Sequence, residues 1–191
     1  DATARLGLPA NTFVCGYIGR LSPEKRIVEI CRAFDRLAAN KYSLLIVGPS
    51  SPVVDFTKFA ANNFFVFPAT TDVASYLAAC DCTLLPSESE GFGFSALESI
   101  LAGVPVVATR VGILNELMRL FPGAFSEIPQ MENPADLQIG PAVTRARTHI
   151  EALRKHTALA ASYVRRNLSL EKMTDSWRVF LREVCESPTK L

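Results

Sequence analysis

The sequence predicts an α/β fold: a doubly wound, mainly parallel sheet of about six strands, followed by a helical C-terminal segment. Three observations carry this. Short apolar runs rich in β-formers alternate with stretches at helical spacing from Thr12 to Ile128. The runs are continuously apolar, as in parallel strands covered on both faces. Right-handed crossovers between such strands wind the chain to both sides of the sheet. Beyond Pro141 only helical spacing remains, so residues 1–191 read as one domain in which 141–191 is the helical segment.

The elements follow in order. Thr12–Ile18 is the first strand. Ser22 then offers an N-cap and Pro23 a first helical position for a helix running to Ala39. Tyr42–Val47 is the second strand, stopped by Gly48-Pro49, with a helix expected over Val54–Ala61. Phe64–Phe67 is the third strand, and Thr71-Asp72 opens a short helix through Ala79. Cys82–Leu85 is the fourth, Phe94–Ala102 a helix ended by Gly103, Val104–Ala108 the fifth strand, and Leu114–Leu120 a helix. Ala124–Ile128 makes a sixth, weak strand. Ile128–Gly140, bracketed by Pro129, Pro134 and Pro141, is the best linker candidate.

Composition removes several function classes. Forty-nine per cent of the residues are hydrophobic and 20% charged, which is a folding composition. Twenty Lys and Arg against 19 Asp and Glu leave +1, so no global field points to nucleic acid. Residues 145–191 are net +5, which reads as solvated helix faces. Apolar runs fall far short of the ~18–20 residues that span a bilayer. Asp1–Arg5 lacks the pattern of a secretory leader. Cys15, Cys31, Cys80, Cys82 and Cys185 are scattered and read as buried free thiols of a reducing compartment. Cys80-Asp81-Cys82 has no nearby third ligand, so no metal site is expected. His149 and His156 fall in the helical tail and match no motif.

In a doubly wound sheet the ligand lies beyond the carboxyl ends of the strands, at the switch point. The loops Gly19–Lys25 and Pro86–Gly93 should therefore face it. Glu90 and Glu98 stand eight positions apart, with Gly91 and Gly93 allowing close backbone approach. The helix from Phe94 aims free N–H groups at that loop, which suits phosphate. Arg20 and Lys25 add two cations. Cations with helix N-termini suit a diphosphate, one carboxylate a ribose, and a second carboxylate another polyol. The helical position of Glu98 is expected to place it deeper than Glu90.

Gly19-Arg20-Leu21-Ser22-Pro23-Glu24-Lys25, Glu90-Gly91-Phe92-Gly93 through Glu98, and Ala102-Gly103-Val104-Pro105-Val106-Val107-Ala108-Thr109 resemble one family. It is the retaining nucleotide-sugar glycosyltransferases with two Rossmann-like domains, the GT-B type of glycosyl transferases group 1. The resemblance is to their C-terminal, donor-binding domain and covers nearly the whole chain. It implies transfer from a nucleoside diphosphate sugar with retention at the anomeric carbon, and no cofactor or metal. Arg20, Lys25 and Glu90 would be catalytic: the cations on the diphosphate, the carboxylate on the transferred sugar. Gly19, Gly91, Phe92, Gly93, Phe94, Ser95 and Glu98 would bind donor, Glu98 through the ribose hydroxyls. Phe92 and Phe94 are expected mainly to anchor the loop. The implied partners are the nucleotide sugar and an N-terminal acceptor-binding domain that has no counterpart here, so the chain alone should be inactive. The implied location is the cytoplasm, with room for peripheral association at the inner membrane face through the full-length protein.

The chain departs from the family pattern in three loops. Gly48-Pro49-Ser50 replaces Gly-x-Gly, Pro68 stands where a Gly is common, and Gly112-Ile113 replaces Gly-Gly. These leave base and sugar open. A nucleotide-sugar epimerase and a non-catalytic nucleotide-sugar-binding subunit stay as alternatives. A dinucleotide-dependent dehydrogenase is disfavoured because Gly-x-Gly-x-x-Gly is absent after the first strand. Trp177, Phe180 and Leu181 form an apolar helical stripe that should be partly exposed without a second domain.

Overall fold

Six strands, β1 (Phe13–Ile18), β2 (Tyr42–Val47), β3 (Phe64–Phe67), β4 (Cys82–Leu85), β5 (Val106–Ala108) and β6 (Phe125–Glu127), form a sheet in the order β3-β2-β1-β4-β5-β6. Every pairing is parallel. The structure is a computed structural model and describes residues 2–38, 40–59, 63–129 and 136–186. The direction of winding reverses between β1 and β4, so the switch point lies between adjacent central strands.

Helices α1 (Ala2–Arg5), α2 (Ile27–Arg36), α3 (Val73–Leu77), α4 (Phe94–Leu101), α5 (Leu114–Leu120), α6 (Asp136–Thr148), α7 (Ile150–Asn167) and α8 (Leu170–Glu186) complete the chain. Strand alternation divides the core. Phe13, Cys15 and Tyr17 of β1 and Leu44 and Ile46 of β2 face α2 and α6, where Ile27, Ile30, Phe34, Val143 and Ala146 are buried. Leu85, Val106 and Ala108 face α4, α5 and α7 across Leu97, Ile100, Leu117 and Val164. Each fully buried large side chain contributes roughly 1.5–3 kcal/mol. The one polar residue of β2, Ser43, meets the Thr12 hydroxyl at 2.7 Å, so its burial is compensated.

Strand positions agree with the sequence to within two residues; several helices differ. The helix expected over Pro23–Ala39 is divided: a single 3₁₀ turn, Pro23–Lys25, comes first, and α2 begins only at Ile27. Arg26 between them has φ 57°, a left-handed conformation costing roughly 1–2 kcal/mol in a non-glycine residue. The Ser22 hydroxyl donates to Glu24 Oε1 at 2.6 Å instead of capping a helix. The helix expected over Val54–Ala61 is also one 3₁₀ turn, Phe56–Lys58, because Asp55 accepts both the Thr57 N–H and hydroxyl. Residues 60 and 61 of that range, and Ala39 at the end of the first expected helix, lie outside the described residues. α3 is shorter than expected, starting after its cap Asp72. The helical tail starts at Asp136 rather than after Pro141, which sits inside α6. Of the linker candidate, residues 130–135 lie outside the described residues.

α8 carries Met173, Trp177, Phe180, Leu181 and Val184 exposed along its length, as the stripe predicts. No described helix is long and apolar enough to cross a membrane. Cys15, Cys31 and Cys82 are buried and Cys80 half-buried, but Cys185 is exposed, a correction to the all-buried expectation. It lies on α8, with no second layer over it among the described residues.

Candidate functional site at the switch point

Because β1 and β4 are neighbours, the loops that follow them meet. Three contacts tie them. Lys25 Nζ lies 2.6 Å from Glu90 Oε1. Arg26 Nε donates to Glu88 Oε1 at 3.4 Å, and the Glu88 N–H to the Glu24 carbonyl at 2.9 Å. The Lys25 and Glu90 side chains are only 15% and 11% exposed, so this pair is largely withdrawn from water.

Glu90 is held from two further sides. The buried Ser87 hydroxyl donates to the same Oε1 at 2.8 Å. Behind it, the Thr109 hydroxyl after β5 donates to the Ser87 carbonyl at 2.6 Å. Gly112 comes so close that a Cβ there would stand 2.8 Å from the Phe92 carbonyl and 3.1 Å from Glu90 Cβ. The Ile113 N–H donates to that Phe92 carbonyl at 3.0 Å. From below, Tyr17 donates to the Arg20 carbonyl and shapes the first loop. Burial pushes the Tyr17 hydroxyl well above its ordinary range, and the negative charges of Glu90 and Glu24 add to this.

The remaining sequence-predicted residues fall into place around this pair. Gly19 donates its N–H to the Val47 carbonyl, and its own carbonyl presses on Gly48 where any Cβ would clash. Arg20 is the opposite of Lys25: its side chain is 75% exposed and loosely paired with Glu24 at 3.7 Å. Gly91 is exposed with open space where a Cβ would go. Gly93 has φ 103° and caps α4, its carbonyl accepting from Ala96 and Leu97. The N–H groups of Phe94 and Ser95 precede those first helical bonds and so form the positive end of α4.

Two expectations are corrected. Glu98 is exposed and Glu90 largely buried, the reverse of the expected depths. The buried face of α4 is Ala96, Leu97, Ser99 and Ile100, which turns Glu98 outward to the rim of a crevice lined by Ile18, Val73 and Leu85. Phe92 and Phe94 do not anchor the loop through their rings. Their rings touch each other at 5.1 Å, and Phe94 is 70% exposed. They form one wall of an apolar groove of about 830 Å³ whose other wall is α8, with Leu170, Met173, Trp177 and Phe180. The backbone contact of Phe92 with Ile113 anchors the loop instead. Ser87 and Thr109 were given no role of their own by the sequence, although they lie in the loop Pro86–Gly93 and the segment Ala102–Thr109, and Arg26 was not singled out at all. His149 and His156 line a separate cleft beside the edge strand β6. Among the described residues, no group of three or more His, Cys, Asp or Glu is placed to hold a metal ion.

The profile of the family described as Glycosyl transferases group 1 matches residues 2–136. The chain belongs to this family. Its curated relatives include the D-inositol 3-phosphate glycosyltransferase of Stackebrandtia nassauensis, 35% identical over 129 residues. The namesake of Mycobacterium bovis is 35% identical over the same length. The matches cover 58% and 62% of this chain but only 29% and 27% of those relatives.

Solved structures share the fold. Sucrose-phosphate synthase from Thermosynechococcus elongatus superimposes with a TM-score of 0.79 at 23% identity, over 98% of this chain and 49% of that one. Anabaena HepE, solved with UDP and glucose, gives 0.80 at 21% identity over 95% and 51%. The C-terminal domain of a Francisella tularensis glycosyl transferase group 1 protein gives 0.71 at 18% identity, over 88% of this chain and 92% of that one. This glycosyltransferase-family chain thus spans about half the length of the larger structures and nearly all of an isolated C-terminal domain.

Proposed function

We propose that the chain is the C-terminal, donor-binding half of a two-domain glycosyltransferase that takes a nucleoside diphosphate sugar and transfers the sugar with retention of configuration. The observation that carries this is the Lys25–Glu90 pair at the switch point, beside the N-terminus of α4, in a chain of this family. Lys25 and the exposed Arg20 neutralise the diphosphate. They stabilise the charge that builds when the bond from the anomeric carbon to the diphosphate oxygen breaks. Phe94 and Ser95 N–H groups add the helix end, with Gly19, Gly91, Phe92 and Gly93 giving close backbone approach. Glu90 holds the sugar, and Glu98, on the rim, accepts the ribose hydroxyls. No cofactor is required. The acceptor-binding half packs beside the exposed stripe of α8, where any peripheral membrane contact would also be built.

A thermal-shift panel tests this with UDP, GDP and ADP and with UDP-glucose, GDP-mannose and ADP-glucose. A ligand at a hundred times its Kd adds about 2.7 kcal/mol to stability. One base series is expected to raise the midpoint, diphosphate and sugar form alike. A panel in which no member shifts it sinks the reading.

A further inference from the structure

We propose that Ser87 is a positioning residue that leaves one oxygen of Glu90 free for the donor sugar; the inference rests on the donor-binding reading above. The two oxygens of Glu90 are treated differently. Oε1 takes both the Lys25 ammonium at 2.6 Å and the Ser87 hydroxyl at 2.8 Å. Oε2 receives no hydrogen bond from any described residue. It is not sealed in either: among the described residues, the sole buried side-chain oxygen or nitrogen lacking a partner is Asn63 Oδ1. A carboxylate that is 11% exposed overall thus keeps an unpartnered oxygen in contact with solvent. An ionised carboxylate has about four lone-pair sites, and desolvating one without a partner is costly. A hydroxyl-rich ligand supplies what is missing.

Ser87 enforces the division. Lys25 alone, a compact point charge on a flexible stem, could pull either oxygen or bridge both. The Ser87 hydroxyl comes from a fixed direction, because the residue is fully buried and its carbonyl is held by Thr109 at 2.6 Å. With Lys25 and Ser87 converging on Oε1, the carboxylate rotation is set and Oε2 is the face left over. Ser87 touches no donor atom itself; it acts through Glu90.

The test is a double-mutant cycle by calorimetry on the intact protein. The ligands are the best-bound diphosphate and sugar pair among UDP and UDP-glucose, GDP and GDP-mannose, and ADP and ADP-glucose. Ser87→Ala is expected to weaken the nucleotide sugar about fivefold while leaving the free diphosphate within twofold. In a Glu90→Ala background the same substitution is expected to change neither. Ser87→Cys, nearly isosteric but a poor donor, is expected to repeat Ser87→Ala, and it serves if the alanine variant misfolds. Equal losses for both ligands, or the same sugar-specific loss with and without Glu90, overturn the role of Ser87 while the donor site stands. If the unmodified protein binds no pair, the donor-site reading falls and this inference with it.

Discussion

Lys25 Nζ and Glu90 Oε1, 65 positions apart in the chain, lie 2.6 Å apart across the switch point. Neither loop could hold its charge alone at this depth, since a mostly buried charge without a partner is strongly destabilising. Each loop therefore stabilises the other before any donor arrives.

Lys25→Ala is expected to lower unfolding free energy by about 3 kcal/mol, because it strands the Glu90 carboxylate. Lys25→Ala with Glu90→Ala should recover part of that loss. Urea melts of the two single variants and the double variant measure it. Strictly additive losses would show that the pair carries no coupling.

Arg20→Ala should behave differently although it neighbours the same site. Its side chain is exposed and loosely paired, so stability should change by less than about 0.5 kcal/mol. Its affinity for a nucleoside diphosphate should fall by about 1.5 kcal/mol, with no loss for the bare nucleoside. Calorimetry with both ligands separates the two. A similar loss for each would remove Arg20 from the phosphate.

Glu98→Ala should also leave stability unchanged, given the exposure of Glu98. It should weaken a ribonucleoside diphosphate by about 1.5 kcal/mol and the 2′,3′-dideoxy analogue hardly at all. The lower end of the range applies because water competes at the rim. If both analogues lose equally, the ribose assignment fails.

Gly112→Ala and Gly91→Ala form a matched pair. At Gly112 a Cβ meets the Phe92 carbonyl and φ is 52°; at Gly91 nothing lies within 4 Å. The first should cost about 2–3 kcal/mol and weaken nucleotide-sugar binding. The second should be near neutral in thermal melts. A benign Gly112→Ala would mean that the loop after β5 does not support Glu90.

Thiol labelling should follow depth and pKa. Burial pushes the Cys31 thiol up to about 12, and nearby Asp35 adds to it. At pH 8–9 it stays protonated and unreactive in the folded chain, while exposed Cys185 is modified first. Mass spectrometry of a timed maleimide reaction gives the order. Early labelling of Cys31 would contradict the buried α2 face.

The strands were legible because parallel strands covered on both faces leave continuous apolar runs, and Tyr42–Val47 is buried at every position. The helix that shrank to a single turn and the delayed start of α2 were not, because Asp55 and Ser22 spend their side chains on neighbours two residues away. Local spacing does not reveal which of two partners such a residue takes. Within the site, the meeting of the loops that carry Lys25 and Glu90 followed from topology, since they follow adjacent strands; the ion pair between the two side chains did not. The relative depth of Glu90 and Glu98 did not. It depends on Ser87, three residues from Glu90, being held in turn by Thr109, 22 residues further on, and on the close approach of Gly112.

The strand order separates two kinds of change. The charged pair stands at the centre of the rim, whereas Gly48-Pro49 and Pro68 close the outer strands β2 and β3. Substitutions at Pro49 and Pro68 leave the centre undisturbed, because no described hydrogen bond or ion pair links them to Lys25 or Glu90, whereas Gly48 is fixed by the Gly19 carbonyl pressed against it. The margin of the rim can thus vary while its middle stays constant, and a protein engineer can exchange its outer turns provided that Gly48 is kept.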